Sequence, residues 1–326
     1  MYWSSRLKRR GLCREFDRLI RLVSGIAQYH KGLAHEPGIP NTAPVNQQIP
    51  PNLDQLTGRS GKSISAVIQS AARTAGEFVL GRYHDQGRID IKGRGDVVSE
   101  VDHASEELIR SLVLDEFPDF AFLGEESGLK PGDDEWQWIA DPIDGTRNFV
   151  SHMPNWCVMV SLAHKGTPVA GATYDPLRDE MFYGQLGSKT MLNGEQVSVT
   201  NKSSVAECVI GLDLGYDDVL AMRVWGVIGA LFPGMQAIRV LGSTGLGMAY
   251  LAAGRVDMYF CGGGNPWDIA SGVVLIEGAG GAVSDRYGAP VKMPSEAIIA
   301  ASPEAHADFL RITERLPFRK DAGGYE

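Results

Sequence analysis

The segment Asp141-Pro142-Ile143-Asp144-Gly145-Thr146 constrains this chain more than any other stretch. It closes an apolar run, and Pro142 holds Asp141 to an extended backbone, so a strand reaches Asp141 and ends soon after. Gly145 allows close backbone approach, and Thr146 brings a hydroxyl to the point where a helix would begin. Far downstream, Trp267-Asp268-Ile269-Ala270-Ser271-Gly272 sets another carboxylate at the expected start of a second helix. Carboxylates gathered closely repel one another unless a hard cation lies between them. Amides at a helix start suit a phosphate. A metal-and-phosphate site is the first expectation.

Each piece also has a plainer reading. Asp144 alone is an N-cap, but capping leaves the second aspartate at the strand end unexplained. Asp268 alone is likewise an N-cap and becomes a ligand only if the fold brings it to Asp141. Asp102, which opens a helix after Lys92-Gly93-Arg94-Gly95-Asp96, is equally open. Gly124-Glu125-Glu126-Ser127 follows an apolar strand and reads either as a solvated acidic loop or as further ligands.

Two glycine-rich stretches imitate phosphate loops. Gly58-Arg59-Ser60-Gly61-Lys62-Ser63 lacks the leading glycine of a P-loop, since Leu56 stands there, and no buried strand precedes it. Gly242-Ser243-Thr244-Gly245-Leu246-Gly247 lies between a strand and a helix, without dinucleotide spacing. It is a tight turn whose amides could also line a polar substrate's pocket.

The 326 residues suffice for one large domain or two smaller ones. A net charge of -9 argues against general nucleic-acid binding, yet leaves an anionic substrate open because bound cations reverse the local field. Cys13, Cys157, Cys208 and Cys261 are scattered without a C-x-x-C pair, which fits reduced thiols and a cytoplasmic location better than disulfides or zinc. No apolar stretch reaches membrane-spanning length. The nearest, Val219 to Gly254, is broken by Arg223, Pro233 and Arg239.

From Met1 to Lys31, eight Lys or Arg residues face only Glu15 and Asp17, while Leu12, Phe16, Leu19, Ile20, Val23 and Ile26 recur at helical spacing. Those acidic residues count against a transit peptide. Glu36 to Gly61 is rich in Pro, Asn, Gln and Gly and reads as a linker. Residues 1–61 are therefore expected to form a poorly ordered basic extension, and residues 62–326 the folded domain. Within it, helices are expected from Lys62 to Tyr83 and after Asp102, then strands at Ala121–Leu123 and Trp138–Ala140. An antiparallel series should run through Val158–Ala163, Val169–Tyr174 and Met181–Tyr183. Helices near Leu246–Ala253, Ile269–Gly278 and Pro303–Arg315 then alternate with strands near Val256–Phe260 and Ile298–Ala301. Mixed order of this kind predicts helices layered on sheets.

Taken in order, Glu125-Glu126-Ser127, Asp141 to Thr146, and Trp267-Asp268 with Gly272 resemble the signature of the inositol monophosphatase family. Lys92, Asp102, Asn148-Phe149 and Tyr174-Asp175-Pro176 extend the match, which runs from about Ser63 to Arg315. The resemblance implies an α/β (α+β layered) fold, the α-β-α-β-α sandwich of the sugar-phosphatase type. It implies a magnesium-dependent phosphomonoesterase with two or three Mg2+ ions. Glu125, Asp141 and the Ile143 carbonyl would hold the first ion, and Asp141, Asp144 and Asp268 the second. Glu125 and Thr146 would position a metal-activated water, and Asp102 would help hold the metals or their waters. Gly145 and Thr146 amides would hold the phosphate, with Asp144, Thr244 and Asp268 also bordering the substrate. Lys92 would lie on a mobile loop nearby.

A homodimer acting on a small phosphorylated metabolite, with no nucleic acid or membrane partner, is the corresponding expectation. One position departs from the family. Its glutamate seven residues before the aspartate matching Asp268, which contacts inositol hydroxyls, is Cys261 here, followed by Gly262-Gly263-Gly264. Polyol, sugar, histidinol phosphate, fructose bisphosphate and 3′-phosphoadenosine nucleotide substrates stay open. So does a catalytically silent regulatory binding protein of the same fold.

Overall fold

Apolar residues that recur on one side of a helix fix the first layer. The computed structural model describes residues 53–91, 97–295 and 297–320. Lys92 and the amphipathic stretch before Leu53, with Cys13, lie outside the described residues. In Ile64–Gly81 (α1), Ile64, Val67, Ile68, Ala71, Ala75 and Val79 are buried together. Ser63 caps this helix by accepting the Ala66 N–H, so the P-loop look-alike is a turn leading into a helix cap.

Ser60 and Lys62 both reach Glu116, and Leu53 is buried in the same core, so packing extends back ahead of Lys62. The second helix, Glu100–Glu116 (α2), begins earlier than Asp102. Ser99 is its N-cap, and Asp102 closes a capping box from the third helical position.

These helices cover one face of an eight-stranded sheet. Its strands are Phe120–Gly124 (β3), Gly128–Lys130 (β4), Asp133–Asp144 (β5), Cys157–His164 (β6), Thr167–Asp175 (β7), Glu180–Gln185 (β8) and the short Met191–Leu192 (β9) and Glu195–Gln196 (β10). A separate hairpin, Ile89–Ile91 (β1) with Val97–Ser99 (β2), leads into α2. The sheet order is β10-β9-β8-β7-β6-β5-β3-β4. The expected antiparallel series is β6, β7 and β8. The β3–β5 pair is parallel.

The middle layer follows from composition. Thr244–Ala252 (α5, after the five-residue Thr146–Val150, α3, and Asp218–Leu231, α4) and Pro266–Gly278 (α6) are apolar all round, which suits helices covered on both sides. Where they cross, a Cβ on Gly272 would lie 2.5 Å from the Met248 sulfur, so only glycine allows the approach. Beyond them lies a five-stranded sheet of order β12-β11-β13-β15-β14. It is built from Val209–Asp213 (β11), Ala237–Val240 (β12), Met258–Cys261 (β13), Ala282–Ser284 (β14) and Ile298–Ala301 (β15). The outer face packs α4 and Pro303–Ile312 (α7) around Val224, Val227, Phe260 and Phe309. The result is the layered α-β-α-β-α arrangement. No helix among the described residues is long and apolar enough to cross a membrane.

One buried group in this outer layer yields a stability prediction. His306 is 8% exposed and its Nε2 lies 2.8 Å from Ser284 Oγ. Burial, reinforced by the Arg319 charge, pulls its pKa down to about 4 from 6.5. The unfolded chain therefore binds a proton between those values that the folded chain refuses. Stability is full above the unfolded pKa and falls as pH drops toward the folded one, by up to about 3 kcal/mol. Urea unfolding of wild type and His306→Gln at neutral pH and near pH 4.5 checks this, because the variant should lose less stability on acidification. Equal acid losses would remove His306 from the account.

Candidate active site

Strand pairing brings the first two carboxylates together. Gly124 on β3 is in register with Ala140 on the parallel β5, so Glu125 and Asp141 follow side by side at the carboxyl ends of adjacent strands. Asp144 requires a further device. Residues three apart on a regular strand point to opposite faces. Here Asp141 pairs with Met159 and Asp144 with Cys157, so β5 carries one more residue than β6 between those pairs. That bulge returns Asp144 to the side of Asp141.

Asp268 arrives from the start of α6. Its N-cap is Asn265, not Asp268. Asp268 sits at the third helical position and accepts the Asn265 N–H at 2.7 Å. Asp102 and Asp268 thus enter from two helices through the same capping-box geometry. Asp144 is not a cap of its own helix either, because Gly145, with φ of +89°, holds that position. Its carboxylate instead caps α5: it accepts from the Ser243 hydroxyl, from Gly245 N at 2.8 Å, from Thr244 N at 3.2 Å and from the Cys157 thiol at 3.4 Å. The Gly242–Gly247 stretch is therefore the turn that orients Asp144.

Glu125, Asp141, Ile143, Asp144, Gly145, Thr146 and Asp268 line one cleft of about 250 Å3, together with Tyr216, Asn265 and Trp267. Two expected site residues stand apart from it. Asp102 is fully buried behind Thr146, whose Oγ1 lies 3.1 Å from Asp102 Oδ1 and 2.9 Å from the Ile143 carbonyl. Thr244 does not border the cleft, since its amide is directed to Asp144. Asn148 and Asp175 serve the architecture. Asn148 donates to the carbonyls of Asn155 and Leu241. The buried Asp175 accepts from Leu177 N and Arg178.

The electrostatics call for positive charge. Burial raises the Asp141 pKa well above its ordinary value, and Glu125, Asp144, Asp268 and Asp102 add to the rise. Burial also raises Asp144, opposed by the Ser243, Gly245, Cys157 and Thr244 hydrogen bonds. Asp102 is raised by burial and restrained by its bonds to Ser99. Among the described residues no three Asp, Glu, His or Cys side chains are drawn tightly enough together to hold an ion by themselves. The donor set still fits a hard cation. All its atoms are oxygens, and Mg2+ is commonly held through one or two carboxylates, with water and phosphate completing the shell.

Two supporting groups escaped the sequence reading. Glu106, a buried carboxylate of α2, accepts the N–H groups of Glu126 at 2.7 Å and Ser127 at 2.8 Å and so holds the backbone that carries Glu125. Asp213, at the end of β11, accepts from Gly242 N and from the Tyr259 hydroxyl at 2.8 Å, and burial lifts its pKa to about 7. Neither carries a motif. A helix glutamate three residues after His103 reads as an exposed charge until the fold buries it.

Comparison with known proteins agrees with this geometry. A model of the inositol monophosphatase family matches residues 61–317. Inositol monophosphatase 1 of Solanum lycopersicum is 34% identical over 258 residues, 76% of this chain and 94% of that protein. Nus factor SuhB of Pasteurella multocida is 34% identical over 244 residues, 74% of this chain and 91% of that protein. Among solved structures, the extragenic suppressor protein suhB from Bartonella henselae superposes with a TM-score of 0.74 at 30% identity, covering 77% of this chain and 98% of that one.

Proposed function

The chain belongs to the inositol monophosphatase family, and on that premise we propose that it hydrolyses a small phosphorylated metabolite with the help of magnesium. The observation that carries the reading is the gathering of Glu125, Asp141, Asp144 and Asp268 with Gly145 and Thr146 in one cleft. Two or three Mg2+ ions, when bound, supply the charge that neutralises the ester and makes water acidic enough to attack. Glu125, Asp141 and the Ile143 carbonyl would hold one ion, and Asp141, Asp144 and Asp268 another. Asp144 would give up its longest contacts, to Cys157 and Thr244, to do so.

The other roles fall to side chains and backbone. Asp102 acts as a positioning residue. With the Ile143 carbonyl it accepts the hydrogen bond that the Thr146 hydroxyl donates, which would leave the Thr146 lone pairs to accept a hydrogen bond from a metal-held water. Glu125, which lines the same cleft, would accept the other. Gly145 and Thr146 amides would receive phosphate oxygens, and the left-handed Gly145 backbone permits that approach. Among the described residues no histidine or cysteine borders the cleft, which favours direct attack by water over a covalent intermediate on such a residue.

The substrate class is a polyol, sugar or related metabolite phosphate, and the working form a cytoplasmic homodimer. A second reading rests on the relatives named Nus factor SuhB: a binding role in which turnover is dispensable. Phosphate release from a panel of metabolite esters, with and without magnesium, separates the two. The phosphatase reading expects magnesium-dependent release. A protein that binds magnesium yet turns over no ester would leave only the binding role.

A further inference from the structure

The helix that delivers Asp268 has a second cleft at its other end. Glu277 lies in the last turn of α6, about 13 Å along the axis from Asp268. Together with the buried Val274 it forms one wall of a cleft of about 300 Å3. Gln185, at the end of β8, and Leu186, Ser188 and Lys189 beyond it form the other wall. That volume suits a small molecule.

The walls are fixed to each other. Thr190 donates from its N–H to the Gly278 carbonyl at 3.3 Å and from its hydroxyl to the Leu275 carbonyl at 2.6 Å. A Cβ on Gly278 would lie 2.5 Å from Thr190 Oγ1 and 3.0 Å from the Ser188 carbonyl, so glycine lets this loop close on the helix end. The cleft is therefore formed before anything enters it.

Each wall carries one charge, and the two do not neutralise each other. Among the described residues no hydrogen bond or ion pair engages the Lys189 ammonium or the Glu277 carboxylate. Glu277 is exposed at the cleft, yet the surrounding protein removes enough of its water to raise its pKa above the ordinary value. It also stands at the negative end of the α6 dipole, and no basic residue in that turn offsets it. A cation placed there gains from both. The loop wall supplies donors instead. Beside Lys189 and the Ser188 hydroxyl, Gln185 accepts the Tyr183 hydroxyl on Oε1 at 2.9 Å, which leaves its NH2 to donate. Leu186 and Val274 add apolar surface.

We propose that this cleft binds a small zwitterion with an apolar side chain, an α-amino acid in kind. Its ammonium sits on Glu277 and the α6 C-terminus, its carboxylate on Lys189 and Gln185, and its side chain on Leu186 and Val274. Binding is read without magnesium or ester, so this inference stands or falls apart from the phosphatase reading.

Calorimetric titration of the full chain with three probes of related shape tests it: leucine, isocaproate, which lacks the ammonium, and isoamylamine, which lacks the carboxylate. Leucine should bind about tenfold more tightly than either. Glu277→Gln should weaken leucine by about tenfold and erase its advantage over isocaproate. Lys189→Met should weaken it similarly and erase its advantage over isoamylamine. Both residues are exposed, so neither exchange threatens the fold. No binding of leucine, equal affinity for the three probes, or unchanged leucine affinity in either variant overturns the inference.

Discussion

Asp141→Asn is expected to lower magnesium-dependent phosphate release by about a thousandfold and, at the same time, to make the metal-free protein more stable. Both effects come from one position. Asp141 is 2% exposed and its charge is opposed by burial, then by Glu125, Asp144, Asp268 and Asp102. Asparagine keeps an oxygen for the Ile143 N–H, which Asp141 accepts at 3.0 Å, so the turn between the two aspartates is preserved. What it removes is the charge shared by both proposed ion positions. Without that charge the remaining carboxylates repel less, and the metal-free melting temperature should rise by about 2–4 °C. Magnesium should then add little further stabilisation to the variant, whereas it stabilises wild type by mass action. Scanning calorimetry with and without magnesium reads the stability effects, and phosphate release reads the loss of turnover. A variant that melts lower than wild type without metal would mean that Asp141 serves packing rather than ion binding.

Gly124→Ala should be the most damaging substitution outside the acidic set. A Cβ at Gly124 would lie 2.3 Å from Glu106 Oε2. Glu106 cannot simply swing aside, because the same carboxylate holds the Glu126 and Ser127 amides from a buried position. Displacing it frees the loop that sets Glu125 beside Asp141. Misplacement of a reacting group by about 1 Å costs up to about a hundredfold in rate, so kcat should fall by about ten- to a hundredfold. Glu106→Gln should be milder in shape but still costly. An amide has only one acceptor oxygen, so one of the two N–H groups loses its partner, at about 1–3 kcal/mol. Steady-state kinetics and thermal unfolding of both variants check this. Full activity in Gly124→Ala with an unchanged melting point would show that the Glu106 clamp is not what positions Glu125.

The difference between what the sequence disclosed and what it hid follows from the range of the interactions. Asp141 to Thr146 and Trp267-Asp268 were legible because their spacing is unusual, and Pro142 and Gly145 declare their backbone. The layering was legible because helices and strands alternate in a mixed order along the chain. The β5 bulge was not legible, since nothing in Pro142-Ile143 says that β6 will carry one residue fewer opposite it. Caps were misplaced by a few positions for a similar reason: Asp102 and Asp268 carry the right residue type, but the competing caps Ser99 and Asn265 stand three residues earlier. Contacts across a hundred residues, such as Asp144 with Ser243 and Gly245, leave no local trace. Tyr216 was missed because a lone aromatic in a turn has no periodicity to betray it.

The most direct test is phosphate release by purified wild type as a function of magnesium concentration, run beside Asp141→Asn on the same ester. The account predicts saturable release in wild type, its abolition by chelation, its return on adding magnesium, and almost none from the variant at any concentration. Release that persists in chelator, or that is equal in Asp141→Asn, would contradict it.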